Sequence, residues 1–339
     1  MPKIDLHAHA IVPDAVGAMK LAHPDEAPEL IEDGRITYLV FPGRERLGPL
    51  HDGTFDPTRR LADMDAQLVD IQVIAVPPAF FHYHVAGGTA ADFARIQNEG
   101  LIALSDSNPD RFHVFGTLPL QDIGASLTEL ERIVSHPRVR GVQIGTNIGG
   151  IDLDHADLSP VWSALESADL PVWVHPDQRS LAGKDRLDAY YLQNLIGNPL
   201  ESTIAIARLI FGGVLERHPE LRFGFVHGGG FAPYQTGRWN HGWNCRSEPK
   251  QVVANTSPDV YFRRMFFDSL THDPVSLELL VRRVGSSNVV LGSDYPFDMG
   301  SDDPVGNVEA ADLTEDERHA VLESNADRFL RPMTDVPRS

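Results

Sequence analysis

Five residues of this chain have the type and placement to do chemistry together. They are His7 and His9 in KIDLHAH, His175 in WVHPD, His227 in FVHGGG and Asp294 in LGSDYPF. Each ends a short apolar run. Side chains on a strand alternate faces, so His7 and His9 point the same way. Neutral imidazoles with a carboxylate suit a divalent ion such as zinc, with a position left open for water. Such an ion brings the pKa of its water towards ~7. An unligated histidine alongside can take or pass the proton. Taken singly, each of the five reads equally well as a polar strand end, and Asp294 as a turn cap. Only their common position at strand ends argues for one site.

The elements that must bring them together recur in a regular order. Apolar runs lie at Lys3–His7, Ile71–Pro78, His113–Leu120, Val139–Gly145, Pro171–His175, Leu221–His227, Arg264–Ser269 and Asn288–Asp294. Near-continuous apolarity is expected of parallel strands buried on both faces. Helical spacing separates most of them, at Leu127–His136, Leu158–Ala168, Ser202–His218, Val275–Gly285 and Thr314–Leu330. The last begins with a Thr-x-x-Glu cap. This alternation predicts an α/β fold, a (β/α)8 TIM barrel, over residues 1–330. In a barrel the C-terminal strand ends share one rim, so the five residues become neighbours.

One segment breaks the rhythm. Residues 10–58 are rich in Pro, Gly and charge, and read as an insertion at the C-terminal rim after strand one. RITYLV within it reads as a strand after a turn at Asp33-Gly34. Residues 331–339 read as a loose tail.

Composition narrows the partners. Lys plus Arg number 29 against 48 Asp plus Glu, giving a formal charge of -19. That field disfavours nucleic acid and anionic membranes, but leaves room for an anionic small molecule met by local arginines. The single cysteine, Cys245, excludes an internal disulfide and fits a reducing, cytoplasmic setting. No apolar run reaches the ~20 residues of a membrane span, and no secretory signal is visible. No phosphate-cradling glycine motif follows a strand, and no organic cofactor is expected. HGGG without a G-x-S-x-G elbow does not support serine-hydrolase chemistry.

The other histidines lack the strand-end placement. His23, His136, His155, His218 and His319 read as solvated surface. His82 and His84, in FFHYHVAGG, read as substrate contacts, and His272 as a residue behind the ligands.

The chain resembles the amidohydrolase superfamily, whose signature is H-x-H after strand one, histidines after strands five and six, and aspartate after strand eight. GTLPLQ, RGVQIGTN, VHPD, HGGGFAPYQTGRWNHG and LGSDYPFDMG are similar to 2-amino-3-carboxymuconate-6-semialdehyde decarboxylase and its relatives, from Ile4 to about Leu330. The resemblance implies that His7, His9, His175 and Asp294 hold Zn2+, or alternatively Mn2+. It implies that His227 activates the metal's water as general base, and that Arg238 crosses a homodimer interface to grip a substrate carboxylate.

Other positions depart from the family pattern. Arg35 falls where the family has a basic residue in its inserted sheet. His51 stands in place of a second carboxylate-binding arginine, with Arg44 and Arg46 as substitutes, and Asn194 in place of a pocket tryptophan. Phe297 is a further expected contact. The implied activity is metal-dependent, non-oxidative decarboxylation of an aromatic or muconate-type acid. The same metal site would equally serve a hydrolase or hydratase of a lactone, cyclic amide or unsaturated acid. A non-catalytic metal-binding role is disfavoured, because no ligand or base is missing.

Overall fold

Short apolar runs pair in sequence order and carry their C-terminal ends to one rim. In the computed structural model, which describes residues 1–333, twelve strands form. They are β1 (Ile4–His9), β2 (Glu29–Asp33), β3 (Ile36–Val40), β4 (Ile71–Ala75), β5 (Phe112–Gly116) and β6 (Val139–Gly145), then β7 (Asn147–Ile148), β8 (Ile151–Asp152), β9 (Val172–His175), β10 (Phe223–Phe225), β11 (Phe266–Asp268) and β12 (Val289–Val290). Eight of them make one parallel sheet in the order β1-β4-β5-β6-β9-β10-β11-β12, with helices between. The barrel is the predicted one. Of the expected tail, 334–339 lie outside the described residues.

The barrel closes at a seam that also builds the site. Leu6 N–H donates to the Leu291 carbonyl at 2.9 Å, Asp294 N–H to His7 at 2.7 Å and His9 N–H to Tyr295 at 2.7 Å. Asp294 is thereby stitched between His7 and His9. Below the seam, the buried Asp5 carboxylate accepts from Ser293 N–H at 3.0 Å, Ser293 Oγ at 2.5 Å, Gln72 Nε2 at 3.1 Å and His7 N–H at 3.0 Å. Burial, partly offset by the Ser293 bond, raises its pKa to about 6. Arg60, from the helix Pro57–Ala66, donates to Gln72 Oε1 at 3.0 Å and to the His9 carbonyl. The polar groups under β1 are thus satisfied, as burial demands.

Period-two alternation sets what faces the barrel interior. Phe115, Trp173, Phe266, Val290 and Phe329 form part of one buried cluster. Phe329, from the C-terminal helix Asn325–Phe329, packs its ring against Trp173 at 5.3 Å and Phe266 at 5.1 Å, flooring the barrel. Phe329→Ala would cost about 3–5 kcal/mol by opening a cavity there. Two residues beyond Trp173 comes His175, and two beyond Phe266 comes Asp268, so the floor and the site are successive layers of the same strand faces. In β1 a register shift between Asp5 and Ala8 adds a residue, so that Leu6 joins the floor while His7 and His9 face the site.

The segment 10–58 is less of an insertion than its composition suggests. Pro13–Ala22 forms a helix whose Ala15, Val16 and Met19 enter the core. The expected strand is β3, paired antiparallel with β2 across a two-residue turn at Gly34-Arg35 where Gly34 takes φ +68°. The capping box at Thr314 and Glu317 is present. Among the described residues, no helix is long and apolar enough to cross a membrane.

Candidate active site

His7, His9, His175 and Asp294 meet at the rim, each at most 5% exposed. One ligand atom from each lies within 4.8 Å of all the others. The imidazoles are fixed from behind. His7 Nδ1–H donates to Asp268 Oδ2 at 2.7 Å, His9 Nδ1–H to the Val76 carbonyl at 3.2 Å, and His175 Nδ1–H to the Pro176 carbonyl at 2.8 Å. With Nδ1 committed as donor, Nε2 of each ring presents its lone pair inward. His7 Nε2, His9 Nε2, His175 Nε2 and Asp294 Oδ1 are all buried without a hydrogen-bond partner. Four convergent, partnerless donors of an N3O set fit a divalent ion.

Charge points the same way. Burial works against a charged His7, but Asp294 and then Asp268 outweigh it and carry the imidazole up to about 10. Burial would raise Asp294, yet the charge of His7 and the nearby ring nitrogens of His227, His7 and His9, 3.1 to 3.4 Å away, hold it well below the carboxylate range. Burial keeps His9 low, and burial reinforced by His9 and His7 keeps His175 well below its ordinary value. A metal-free cradle therefore retains one proton, on His7, where a cation is wanted.

His227 stands at the same centre without joining the four. Its ring lies 5.2 Å from those of His7 and His175, and its Nε2 is 3.4 Å from Asp294 Oδ2. Its Nδ1 is partnerless and its side chain 19% exposed, so it can be reached from the mouth. His227 and Asp294 take φ of +55° and +58°, left-handed values that cost a non-glycine residue about 1–3 kcal/mol and gather at functional sites.

Sequence reasoning missed Asp268. This fully buried carboxylate orients His7 through Oδ2, and through Oδ1 accepts from Gly228 N–H at 2.8 Å and Leu270 N–H at 3.2 Å. It thereby ties His7 to the backbone just after His227. The available signal was an aspartate ending strand seven. His272, expected in that supporting role, is exposed.

The expected substrate contacts divide. Phe297 lies against His9, ring centres 5.0 Å apart. His51 accepts from Gly53 N–H at 3.1 Å as the cap of a short turn, its ring edge-on to Tyr295 at 5.8 Å. Asn194 is half-buried in the irregular helical segment Gln193–Gly197. Arg35 sits exposed at the β2–β3 turn, and Arg238 is exposed on the helix Ala232–Cys245. Arg46 turns back onto its own hairpin, 3.3 Å from Asp33 and over the Tyr38 ring. His82, expected as a substrate contact, is 1% exposed and packed on Phe93 and Phe80. His218 is likewise buried rather than solvated, and pairs with Glu166 at 3.2 Å.

The chain belongs to the amidohydrolase family, whose model matches residues 4–331. The motif-based resemblance therefore holds over nearly all of it. It is similar to the 2-amino-3-carboxymuconate-6-semialdehyde decarboxylase of Dictyostelium discoideum, 37% identical over 81% of this chain and 77% of that protein. The enzyme of the same name from Caenorhabditis elegans is 30% identical over 97% of this chain and 94% of its own length. Among solved structures, the 5-carboxyvanillate decarboxylase of Sphingomonas paucimobilis shares the fold with a TM-score of 0.83, covering 97% of this chain and 98% of that one at 23% identity.

Proposed function

We propose that this chain is a metal-dependent, non-oxidative decarboxylase of an aromatic or muconate-type carboxylic acid. The observation that carries the reading is the convergence of four buried, partnerless donor atoms beside an accessible His227. The relatives with decarboxylase in their names, matched over 77% and 94% of their own lengths, supply the reaction class. His7, His9, His175 and Asp294 would hold the ion. The N3O donor set suits zinc, with manganese the alternative. When bound, the ion supplies Lewis acidity towards a substrate oxygen or water.

The chain's own residues handle protons. In the net reaction a carbon–carbon bond breaks, carbon dioxide leaves, and a carbon–hydrogen bond forms. His227 would act as general base, taking from solvent the one proton that the new carbon–hydrogen bond needs, with Asp294 Oδ2 orienting its ring from 3.4 Å. His227 would deliver that proton to the carbon losing its carboxylate. Phe297 offers an apolar face for an unsaturated ring or chain beside His9. Arg238 would reach a neighbouring subunit's site in a homodimer. Its helix also exposes Tyr234, and Phe231 at its start, which supports a contact surface there. The exposed, free Cys245 fits a reducing cytoplasm.

The test is carbon dioxide release from a panel of aromatic and muconate-type acids by the metal-loaded protein. Release of one carbon dioxide per acid consumed is expected. A hydrated or ring-opened product with no carbon dioxide would replace this reading with the hydratase or hydrolase one.

A further inference from the structure

Among the described residues the buried carboxylates are Asp5, Glu129, Asp177, Glu201, Asp268 and Asp294. Four of them lie on or just beyond barrel strands, and Glu129 pairs with Arg132 at 2.7 Å. Glu201 stands on a helix, 4% exposed, and meets only neutral donors. A carboxylate buried without a cation is costly, so the place it holds matters.

Those donors come from two loops. Thr146 Oγ1 at 3.2 Å and Asn147 Nδ2 at 2.8 Å, from the turn after β6, donate to Glu201 Oε2. Ala182 N–H, from the loop after β9, donates to Oε1 at 2.6 Å. Asn147 Nδ2 reaches on to the Ser180 carbonyl at 3.0 Å, a second tie between the loops. Glu201 itself sits in the first turn of the helix Asn198–Phe211, where the helix dipole favours a carboxylate. One buried group therefore fastens a helix and two rim loops at a single point.

The loop it fastens leaves from the cradle and comes back to it. It starts directly after His175 and ends at Gly197, where a Cβ would come within 2.7 Å of Leu181 Cδ1, so glycine lets the two ends close together. Tyr190 and Tyr191 take φ of +57° and +59°, consecutive left-handed values that persist only where the surroundings impose them. The Tyr191 carbonyl accepts from Asn194 N–H at 3.0 Å and Leu195 N–H at 3.1 Å, while its side chain stays exposed. Burial, then the charges of Asp298 and of the cradle's Asp294, push the Tyr191 phenol up. It is therefore a neutral hydrogen-bond donor within reach of the ligand aspartate's field.

We propose that Glu201 is a positioning residue for substrate binding: by pinning the loop after β9 to the turn after β6, it holds Tyr191 where an incoming acid meets it beside the metal cradle. The inference rests on the acid-decarboxylase reading and adds to it the group that shapes the entrance.

The test uses zinc-loaded protein, with binding of benzoate, salicylate and cis,cis-muconate measured by titration calorimetry and metal affinity by chelator competition. Tyr191→Ala should weaken the tightest-binding of the three probes by about tenfold, and Glu201→Gln, whose amide N–H2 is turned on donors, by about fivefold or more. Metal affinity should stay within about twofold of wild type in both, because neither residue touches a ligand. The double variant should bind that probe within about twofold of Tyr191→Ala alone, since Glu201 acts through the tyrosine. Thr146→Val removes one donor, leaves the carboxylate, and should weaken binding by about twofold to threefold; it carries the test if Glu201→Gln does not fold. On any acid that is decarboxylated, Glu201→Gln should raise KM with kcat within about threefold. The proposal is overturned by additive losses in the double variant, by metal affinity falling together with probe affinity, by probe binding unchanged in Glu201→Gln and Thr146→Val, or by a wild type that binds none of the probes. Probe binding that depends on both residues with no carbon dioxide from any acid would keep the positioning role and remove the decarboxylase. Carbon dioxide release with KM unmoved in either single variant would keep the decarboxylase and remove the positioning role.

Discussion

In the cradle each ligand ring has one nitrogen fixed to a carbonyl or carboxylate and the other aimed inward; Arg35 and Arg238, on the surface, are exposed. The cradle is carried on strand ends, whose register is fixed by a floor of Phe115, Trp173 and Phe329. Those arginines are carried on a hairpin turn and one helix face. The contrast teaches where chemistry and selectivity are stored. A donor set must be pre-positioned, so its supporting bonds are buried. Groups that recognise a charged substrate must stay unpaired until it binds, so they sit where water can solvate them.

Breaking the cradle should have the largest effect. His175→Ala removes one of three imidazole donors, and is expected to empty the site and lower activity by about 10³-fold or more, read by metal analysis and carbon dioxide release. His227→Gln tests the boundary between holding and reacting. The metal should remain bound while kcat falls by about 10²–10⁴-fold; loss of the metal would make His227 a ligand instead. Asp268→Ala frees the back of His7, and should weaken metal affinity by about 10–100-fold with the fold intact, measured by chelator competition.

The pH dependence of metal uptake sharpens the same picture. In the metal-free cradle only His7 is raised, to about 10, while Asp294, His9 and His175 are lowered. A metal must therefore displace one proton, and its affinity rises with pH. Between pH 6 and 7 the apparent affinity should change by about tenfold per unit. A slope near three would mean that all the imidazoles are protonated before binding. In the proposed homodimer, Arg238→Ala should raise KM by about tenfold with kcat within about twofold, and a fully active monomer would contradict a shared site.

How much of this could be read from the sequence follows the same division. His7, His9, His175, His227 and Asp294 were legible because strand period and barrel order place residues far apart in sequence on one rim. Asp268 was not, because a carboxylate ending a buried strand looks the same whether it supports a ligand or satisfies a backbone N–H, and here it does both. The helix Pro13–Ala22 was hidden by Pro and Gly, although its proline merely occupies the first turn. The helix Gly87–Ser107 was hidden by its opening Gly-Gly-Thr.

The central claim is that the four donors hold one divalent ion on which carbon–carbon cleavage depends. Its most direct measurement is carbon dioxide release by the protein as purified, after chelation, and after titration with zinc or manganese. The account predicts release lost on chelation and restored in proportion to metal up to one equivalent per chain. Undiminished release from metal-free protein would contradict it.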